Sequence, residues 1–320
     1  MQQNSVDRGV LACQRFEVDV SQRHQISVPF VMAGLCVLAG ASSISGWSFD
    51  GHRAITLAAI ASLPPSVPFD RDDLVYAVEG SVFPDLSRPI SLPQLREREK
   101  PQHYINIELL LGRNLPADRS GYLGLLAELA GSPDRLLGVD ESLESVGLLP
   151  YAVIEASQEL AAVFRQLRSK PGDPRLQYLA QHYAGILSHY AGDLCQPLHT
   201  TIHHDGRAND RGVSSQSGIH DLVDRLLARY GAVPTRVSEG VVEISTWTDV
   251  WQGVMSELAA SHSLVEDLYE LESEIRQASA SGDVSPQLQS FVDTRFSASV
   301  GFAAQLMYSA WQLSASVQLP

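Results

Sequence analysis

Prolines separate stretches in which apolar residues recur with helical spacing, and this pattern limits the fold more than any other feature of the chain. Apolar positions repeat every three to four residues, which indicates amphipathic helices. The helices predicted in this way are 51–63, 71–80, 122–130, 150–169, 175–195, 219–230, 252–279 and 286–316. Prolines fall between or at the ends of these segments, where their missing amide hydrogen is tolerated. Only 241–246 (VVEIST) has the composition of a strand. We therefore predict an all-α, single multi-helix domain over 47–320.

The N-terminus is typical of an export signal. An uncharged apolar run, 28–41 (VPFVMAGLCVLAGA), follows Arg23 and precedes small residues, and it is too short to span a bilayer comfortably. We therefore predict that 1–46 is a signal peptide with its leader, and that the exported chain begins at Trp47 in the periplasm or outside the cell. The leader is unusually long and contains acidic residues, which favours a translation start downstream of Met1. A buried helix of the fold is the alternative interpretation of the apolar run.

Charge and cysteine content narrow the function. The chain has a net charge of -14, which argues against a general polyanion binder because such proteins need a basic surface. It does not argue against a phosphate-processing enzyme, because bound divalent cations can reverse the local field. Of the three cysteines, Cys13 and Cys36 fall in the predicted leader. The exported chain then contains Cys195 alone, and an intramolecular disulfide is excluded.

Two histidine–aspartate pairs carry the clearest chemical information. His189 and Asp193 are four residues apart and therefore share one face of a predicted helix, and His220 and Asp224 repeat that spacing on the next one. His199 follows the proline that ends the first of these helices. Imidazole nitrogens and carboxylate oxygens are ordinary zinc ligands, so the set predicts a metal site. A surface pair or a hydrogen-bonded core histidine is the alternative for either pair alone.

Three segments upstream contain further candidate ligands. WSFDGH (47–52) begins where the signal peptide would be cut, FPDLSR (83–88) places an acid and a base three residues apart, and HYIN (103–106) follows a polar stretch. Each segment alone is as compatible with a structural role as with metal binding.

Taken together and in this order, the segments resemble a known superfamily. It contains the single-strand-specific zinc nucleases (mung bean nuclease and its fungal relatives) and the bacterial zinc-dependent phospholipases C. The likeness covers 47–320 in motif order, and its specific matches lie in 47–106 and 187–224. It implies an all-α domain that binds three Zn²⁺ ions through Trp47, His52, Asp85, His103, His189, Asp193, His199, His220 and Asp224.

The resemblance also assigns these ligands to individual ions. The implied sets are Trp47 (amino nitrogen and carbonyl), His52 and Asp193; then Asp85, His103, His189 and Asp193; then His199, His220 and Asp224. The catalytic residues it implies are Asp85, Asp193 and Arg88. A hydroxide shared by the first two ions would attack phosphorus, and Arg88 would stabilise the transition state. An amino group binds metal only when it is free, so the signal peptide must be removed before Trp47.

The details are closer to the nuclease branch. Asp224 matches the nucleases, since the phospholipases use glutamate there, and Tyr104 corresponds to an aromatic residue on which the nucleases stack a base. Asn106 replaces an aspartate that commonly reads the base. The implied activity is endonucleolytic cleavage of single-stranded DNA or RNA, with 3′-nucleotidase activity on nucleotides as a further expectation. A phospholipase C acting on phospholipid is the alternative enzyme, a non-catalytic zinc-binding module is the alternative class, and no stable protein partner is predicted.

We interpret the remaining polar and aromatic residues near these motifs as structural. In the loop that replaces a Gly-Gly-Asn of the relatives, His203 and His204 are predicted to face solvent. The segment 92–102 (LPQLREREKPQ) is predicted to be a charged, solvated loop, with a phosphate contact as its alternative role. The other residues interpreted as packing positions are His182, Tyr183, Tyr190, Cys195 and His262, with adventitious metal binding as the alternative for the cysteine.

Overall fold

The computed structural model describes residues 47–89, 91–132, 142–226, 244–245, 247 and 249–318. These residues belong to one compact unit. Within the described ranges the backbone forms helices, with isolated bridges and no strand, so the all-α prediction is confirmed. The predicted leader 1–46, the end of the predicted helix 219–230 and most of 241–246 lie outside these ranges.

The helices vary from single turns to long rods. In chain order they are α1 (Phe49–Ser62), α2 (Val75–Gly80), α3 (Phe83–Leu86), α4 (Pro93–Glu99), α5 (Arg119–Ala130), α6 (Leu143–Val146), α7 (Leu149–Ser169), α8 (Pro174–Leu194), α9 (Ile219–Leu226), α10 (Val250–His262), α11 (Val265–Glu270), α12 (Glu272–Ser281) and α13 (Pro286–Leu313). Short 3₁₀ turns occupy Lys100–His103, Ile107–Leu110 and Pro197–Thr200. A search of the described helices finds none whose length and apolar character suffice to cross a membrane.

Most predicted helices agree with the observed bounds to within about one turn, but two predictions are wrong. The segment 252–279 is three helices, α10 to α12, because the chain turns at 263–264 and again at Leu271. The middle helix carries Tyr269, whose hydroxyl donates to the carbonyl of His203 and accepts from the amide of Gly206. The segment 92–102 is not a loop, since it forms α4 and the 3₁₀ turn that follows. This helix has no apolar stripe, and its buried residue is Glu99.

Local sequence signals define the ends of the two helices that organise the fold. The carboxylate of Asp173 accepts the amide hydrogen of Arg175 at 3.0 Å, and Pro174 occupies the first turn of α8. The hydroxyl of Ser285 likewise accepts from the amide of Leu288 at 3.1 Å at the start of α13. A side-chain cap followed by proline satisfies the free amides of a first turn and presets the helical φ angle.

Helix α8 lies at the centre of the unit and packs against α1, α2, α7 and α13. Its contact with α2 depends on glycine. A Cβ atom on Gly185 would lie 2.2 Å from the carbonyl oxygen of Ala77, and one on Gly80 would lie 2.5 Å from that of His182. The two backbones therefore approach more closely than any other residue would allow. This approach brings the carbonyl of Ser81 against α8, where it contacts His189.

Candidate metal centre

The last two turns of α8 carry the first group of candidate ligands. His189 and Asp193 are fully buried, and the Nε2 atom of His189 lies 3.3 Å from Oδ2 of Asp193. His52, from the first turn of α1, stacks on His189 with ring centroids 3.9 Å apart. Its Nε2 atom is 3.5 Å from Oδ1 of Asp193. His52, His189 and Asp193 thus offer ligand atoms that all lie within 4.8 Å of one another.

A second group shares His189 with the first. Asp85, on the single turn α3, and His103, at the end of the 3₁₀ turn after α4, both approach it. The Nε2 atom of His103 is 3.6 Å from Oδ1 of Asp85, and both side chains are almost fully buried. Elements from three distant parts of the sequence therefore converge on α8. The two groups with their common histidine are called the paired groups below.

A third group, here called the outer group, contains His199, His220 and Asp224. The Nε2 atoms of His199 and His220 are only 3.0 Å apart, and Nε2 of His220 lies 3.3 Å from Oδ2 of Asp224. The other carboxylate oxygen of Asp224 accepts a hydrogen bond from Nε2 of Gln196 at 3.0 Å. The outer group adjoins the paired groups, because Nδ1 of His199 is 3.7 Å from Oδ1 of Asp193.

Four of these histidines are oriented by backbone carbonyls. Nδ1 of His103 lies 3.0 Å from the carbonyl oxygen of Glu99, and Nδ1 of His189 lies 2.8 Å from that of Ser81. Nδ1 of His199 lies 2.5 Å from the carbonyl oxygen of His103, and Nδ1 of His220 lies 3.0 Å from that of His204. A carbonyl oxygen only accepts, so Nδ1 carries the hydrogen and Nε2 presents a lone pair. This is the arrangement that metal-binding histidines usually adopt. The short contact between Nε2 of His199 and Nε2 of His220 consequently brings acceptor against acceptor.

Burial keeps most of these imidazoles neutral. It lowers the pKa of His52, His103 and His199 well below the ordinary value, and neighbouring positive charges act in the same direction. Burial also lowers the pKa of His220, to about 4. Near neutral pH, Nε2 of these rings therefore carries no proton that could bridge two facing acceptor atoms, because desolvation strongly disfavours the charged form of imidazole.

The carboxylates and His189 complete the electrostatic pattern. Burial raises the pKa of Asp193 to about 6, although His189 opposes the shift, and burial also raises the pKa of Asp224. Burial alone lowers the pKa of His189, but the carboxylates of Asp193 and Asp85 and the carbonyl of Ser81 together outweigh that effect and raise it. Both oxygens of Asp193 and one of Asp224 are buried without a hydrogen-bond partner. Unpaired buried acceptors are costly, and cations in the three groups would satisfy them, so the residues fit bound metal.

Trp47 lies against the same part of α8. Its side chain is fully buried, its indole nitrogen donates to the carbonyl of Gly192 at 2.8 Å, and its ring packs edge-on against Phe296. Every side chain predicted to bind metal falls into one of the three groups, and Trp47 is adjacent to them. Metal binding by its amino nitrogen and carbonyl stays a prediction.

The predicted catalytic arginine and substrate residues border the paired groups. The guanidinium of Arg88 pairs with Asp85, and its Nε atom is buried without a partner. The hydroxyl of Tyr104 donates to the carbonyl of Glu144, and burial raises its pKa. The amide of Asn106 donates to the carbonyl of Ser145 at 2.6 Å. The last two contacts place both predicted substrate residues against α6, where their roles in binding stay predictions.

The prediction that His203 and His204 face solvent is wrong. Both are half-buried; Nδ1 of His203 accepts the amide hydrogen of Ala208 at 2.9 Å, and the carbonyl of His204 orients His220. The loop is therefore a structural support of the outer group. Its sequence contains several polar residues in a row, which resembles a solvated loop, and this composition concealed the role of its backbone.

The other residues interpreted as structural do pack within the fold. Cys195 is fully buried against Glu257 and Ser299 rather than against a metal group, and burial raises the pKa of its thiol. Tyr190 is buried, with its hydroxyl donating to Glu99. His262 contacts the backbone carbonyl of Thr200, and His182 and Tyr183 are partly buried with their rings in contact.

Gln196 is the functional side chain that sequence reasoning missed. It is fully buried, and it both orients Asp224 and accepts the amide hydrogen of Leu198 at 2.6 Å through Oε1. Its position three residues before His199 was the available signal, because ligands are commonly held by neighbouring polar groups. Comparison with known proteins finds no matching family model and no matching curated protein.

Proposed function

We propose that this protein is a zinc-dependent phosphodiesterase that hydrolyses single-stranded DNA or RNA, with 3′-nucleotidase activity on nucleotides. One observation carries the proposal: two buried His/Asp groups share His189, and a third group lies one carboxylate–imidazole contact away from them. Adjacent metal sites of this kind suit phosphoryl transfer, in which an attacking oxygen and a leaving oxygen must both be stabilised.

The composition of the groups supports zinc as the metal. Each group combines neutral imidazole with carboxylate, whereas Mg²⁺ and Ca²⁺ prefer sites made of oxygen ligands. Zinc–nitrogen bonds of about 2.0–2.1 Å in tetrahedral geometry separate two nitrogen ligands by roughly 3.3 Å. The Nε2 atoms of His199 and His220, 3.0 Å apart with both lone pairs facing inward, are close to that separation.

The chain's own residues would divide the remaining work. Bound zinc supplies a water of lowered pKa and positive charge near the phosphoryl oxygens. Arg88, fixed by Asp85 at the edge of the paired groups, would donate to a phosphoryl oxygen as negative charge develops there. The carbonyls that hold Nδ1 of the histidines keep the ligands in one orientation throughout the reaction. Tyr104 would bind the substrate by stacking on a base.

The resemblance of the motifs, together with Asp224 and Tyr104, supports a nuclease over a phospholipase. The deciding experiment uses exported protein that begins at Trp47. Metal content is measured by mass spectrometry, and hydrolysis of bis(p-nitrophenyl) phosphate, single-stranded DNA, RNA and phosphatidylcholine is compared. We expect about three zinc ions, cleavage of both nucleic acids, and loss of activity with a chelator, which should also lower the melting temperature because metal affinity contributes to folding.

Each alternative has a distinct outcome in this experiment. One zinc ion or none in correctly processed protein would contradict the metal centre itself. Faster hydrolysis of phosphatidylcholine than of nucleic acid would identify a phospholipase C on the same ligands. Three zinc ions without hydrolysis of any phosphodiester would identify a non-catalytic zinc-binding module.

A further inference from the structure

Helix α4 and the 3₁₀ turn after it lead directly into the ligand His103. The carbonyl of Glu99 holds Nδ1 of His103 at 3.0 Å, and the buried Glu99 side chain accepts from the hydroxyl of Tyr190. The segment is therefore fixed to the metal centre at its C-terminal end. Arg96 and Lys100 belong to this segment and lie about one helical turn apart, at the border of the site.

Lys100 lies beside Tyr104, and Arg96 is one helical turn before Lys100, whose amide donates to the carbonyl of Arg96. Lys100 places its Nζ atom 2.9 Å from a carboxylate oxygen of Glu144, the same residue whose carbonyl accepts from the Tyr104 hydroxyl. Arg96, Lys100 and the aromatic ring therefore border one side of the site.

Arg96 differs from the other arginines of this part of the surface. Arg98 pairs with Glu99, and Arg207, in the loop beside the outer group, pairs with Glu266. Within the described ranges, Arg96 takes part in no ion pair. A chain with a net charge of -14 repels polyanions at long range, but that repulsion is screened beyond roughly 8 Å at physiological ionic strength. Local cations consequently decide whether a phosphate backbone is accepted.

We propose that Arg96 and Lys100 form a cationic rim that binds phosphates flanking the scissile bond of a single-stranded polynucleotide, with Tyr104 stacking on a base between them. The inference rests on the proposed function and specifies its substrate as an oligomer rather than a mononucleotide. Alternation of cations and aromatic rings suits this partner, because every nucleotide offers one phosphate and one flat base. A zwitterionic lipid head group, with a single phosphate next to an ammonium, gains little from two further cations.

The test combines binding and turnover on zinc-loaded protein. The variant Arg96→Gln/Lys100→Gln is compared with the natural chain and with Arg175→Gln, which removes an exposed cation at the far end of α8. Affinity for a fluorescent single-stranded phosphorothioate oligothymidylate is measured by anisotropy between 50 and 200 mM NaCl. Each lost phosphate contact should reduce the slope of log affinity against log salt by about 0.7, so the double variant should lose about 1.4. Over this range the natural chain should then lose about sevenfold more affinity than the variant.

Two further measurements separate this inference from the proposed function. Glu144→Gln should strengthen binding at low salt, because it removes the carboxylate that competes with phosphate for Lys100. Hydrolysis of bis(p-nitrophenyl) phosphate, which has no flanking phosphates, should change less than oligonucleotide cleavage in the double variant. An unchanged salt slope in a variant of an active nuclease would overturn the rim while leaving the nuclease intact. Natural protein that binds three zinc ions but cleaves only phosphatidylcholine would overturn both.

Discussion

The paired groups and the outer group use the same ligand chemistry on different supports. In the paired groups, His189 and Asp193 stand on a 21-residue helix that neighbouring helices cover, and both are fully buried. The outer group stands on a 3₁₀ turn, on the loop that follows it and on the start of α9, and His220 retains 7% exposure. Nδ1 of His189 contacts the carbonyl of Ser81, at the place where α2 packs against α8. Nδ1 of His220 instead contacts the carbonyl of His204, which lies in a loop.

This difference predicts how metal is bound and lost. The paired groups meet at His189 and Asp193, so occupation of one orients side chains of the other, and their rigid support limits local opening. The outer group depends on a loop carbonyl and a single 3₁₀ turn, which are elements of low local stability in proteins generally. We therefore expect the paired groups to bind metal tightly and together, and the outer group to lose its metal first during chelation.

Removal of Asp193 should have the largest effect on this asymmetry. Its Oδ1 faces His52 and its Oδ2 faces His189. If it bridges two ions with one oxygen each, as the resemblance implies, Asp193→Ala should abolish binding of two zinc ions, eliminate measurable hydrolysis and lower the melting temperature. Asp224→Ala, the matched change in the outer group, should remove one zinc ion. Metal content by mass spectrometry and thermal unfolding distinguish the two variants. Equal metal loss in both would show that the groups bind metal as a single unit.

The start of the chain gives the next largest effect. If the amino group of Trp47 is a ligand of the paired groups, protein with even one extra residue before Trp47 should contain one zinc ion fewer and be nearly inactive. The outer group should keep its metal in that protein. Full activity of protein that retains 1–46 would show that Trp47 contributes only its buried side chain.

A change behind the ligands should affect the outer group alone. Gln196→Leu keeps the size of the side chain but removes its hydrogen bonds to Asp224 and to the amide of Leu198, next to His199. Loss of such a supporting contact typically weakens metal binding by about 10–100-fold. Competition with a zinc chelator should therefore show one weakened ion and two unchanged ions. Weakening of all three would contradict the independence of the outer group.

The same two regions show what the sequence could and could not predict. Helices α8 and α13 were predictable because a capping side chain, a proline and a long apolar stripe all agree at each. The His/Asp spacings on α8 and α9 likewise identified residues that the structure brings into groups able to hold a metal, since residues four apart share a helix face. Helix α4 was missed because periodicity detects apolar faces, and this helix buries a carboxylate.

The backbone carbonyls that orient the histidines could not be predicted from the sequence, for a different reason. The carbonyl that orients His189 belongs to Ser81, 108 residues away in the chain. Any residue type can supply a carbonyl, so no side-chain pattern marks the position. The close approach of α2 to α8 that delivers it depends on Gly80 and Gly185, whose meaning becomes clear only once the two helices are seen in contact.

Residues at the border of the paired groups should show the smallest effects, because they act on substrate rather than on metal. Tyr104→Ala should slow cleavage of single-stranded nucleic acid by the stacking free energy, roughly 1–3 kcal/mol. Hydrolysis of bis(p-nitrophenyl) phosphate, which presents no nucleobase, should be less affected. Tyr104→Phe is the matched control, because it keeps the ring and removes only the hydrogen bond to the carbonyl of Glu144.

Arg88→Ala should separate chemistry from recognition at the same border. If its guanidinium stabilises the phosphoryl transition state, which all phosphodiesters share, kcat/KM for nucleic acid and for the aryl substrate should fall by similar factors. Neither residue is expected to bind zinc, so both variants should retain about three ions, which metal analysis checks before any rate is compared.

If Tyr104→Ala leaves nucleic acid cleavage unchanged while the natural protein prefers phosphatidylcholine, the paired groups serve a phospholipase. A selective loss of nucleic acid cleavage in Arg88→Ala would instead make Arg88 a substrate-binding residue, because a group that stabilises the transferred phosphoryl acts on both substrates alike.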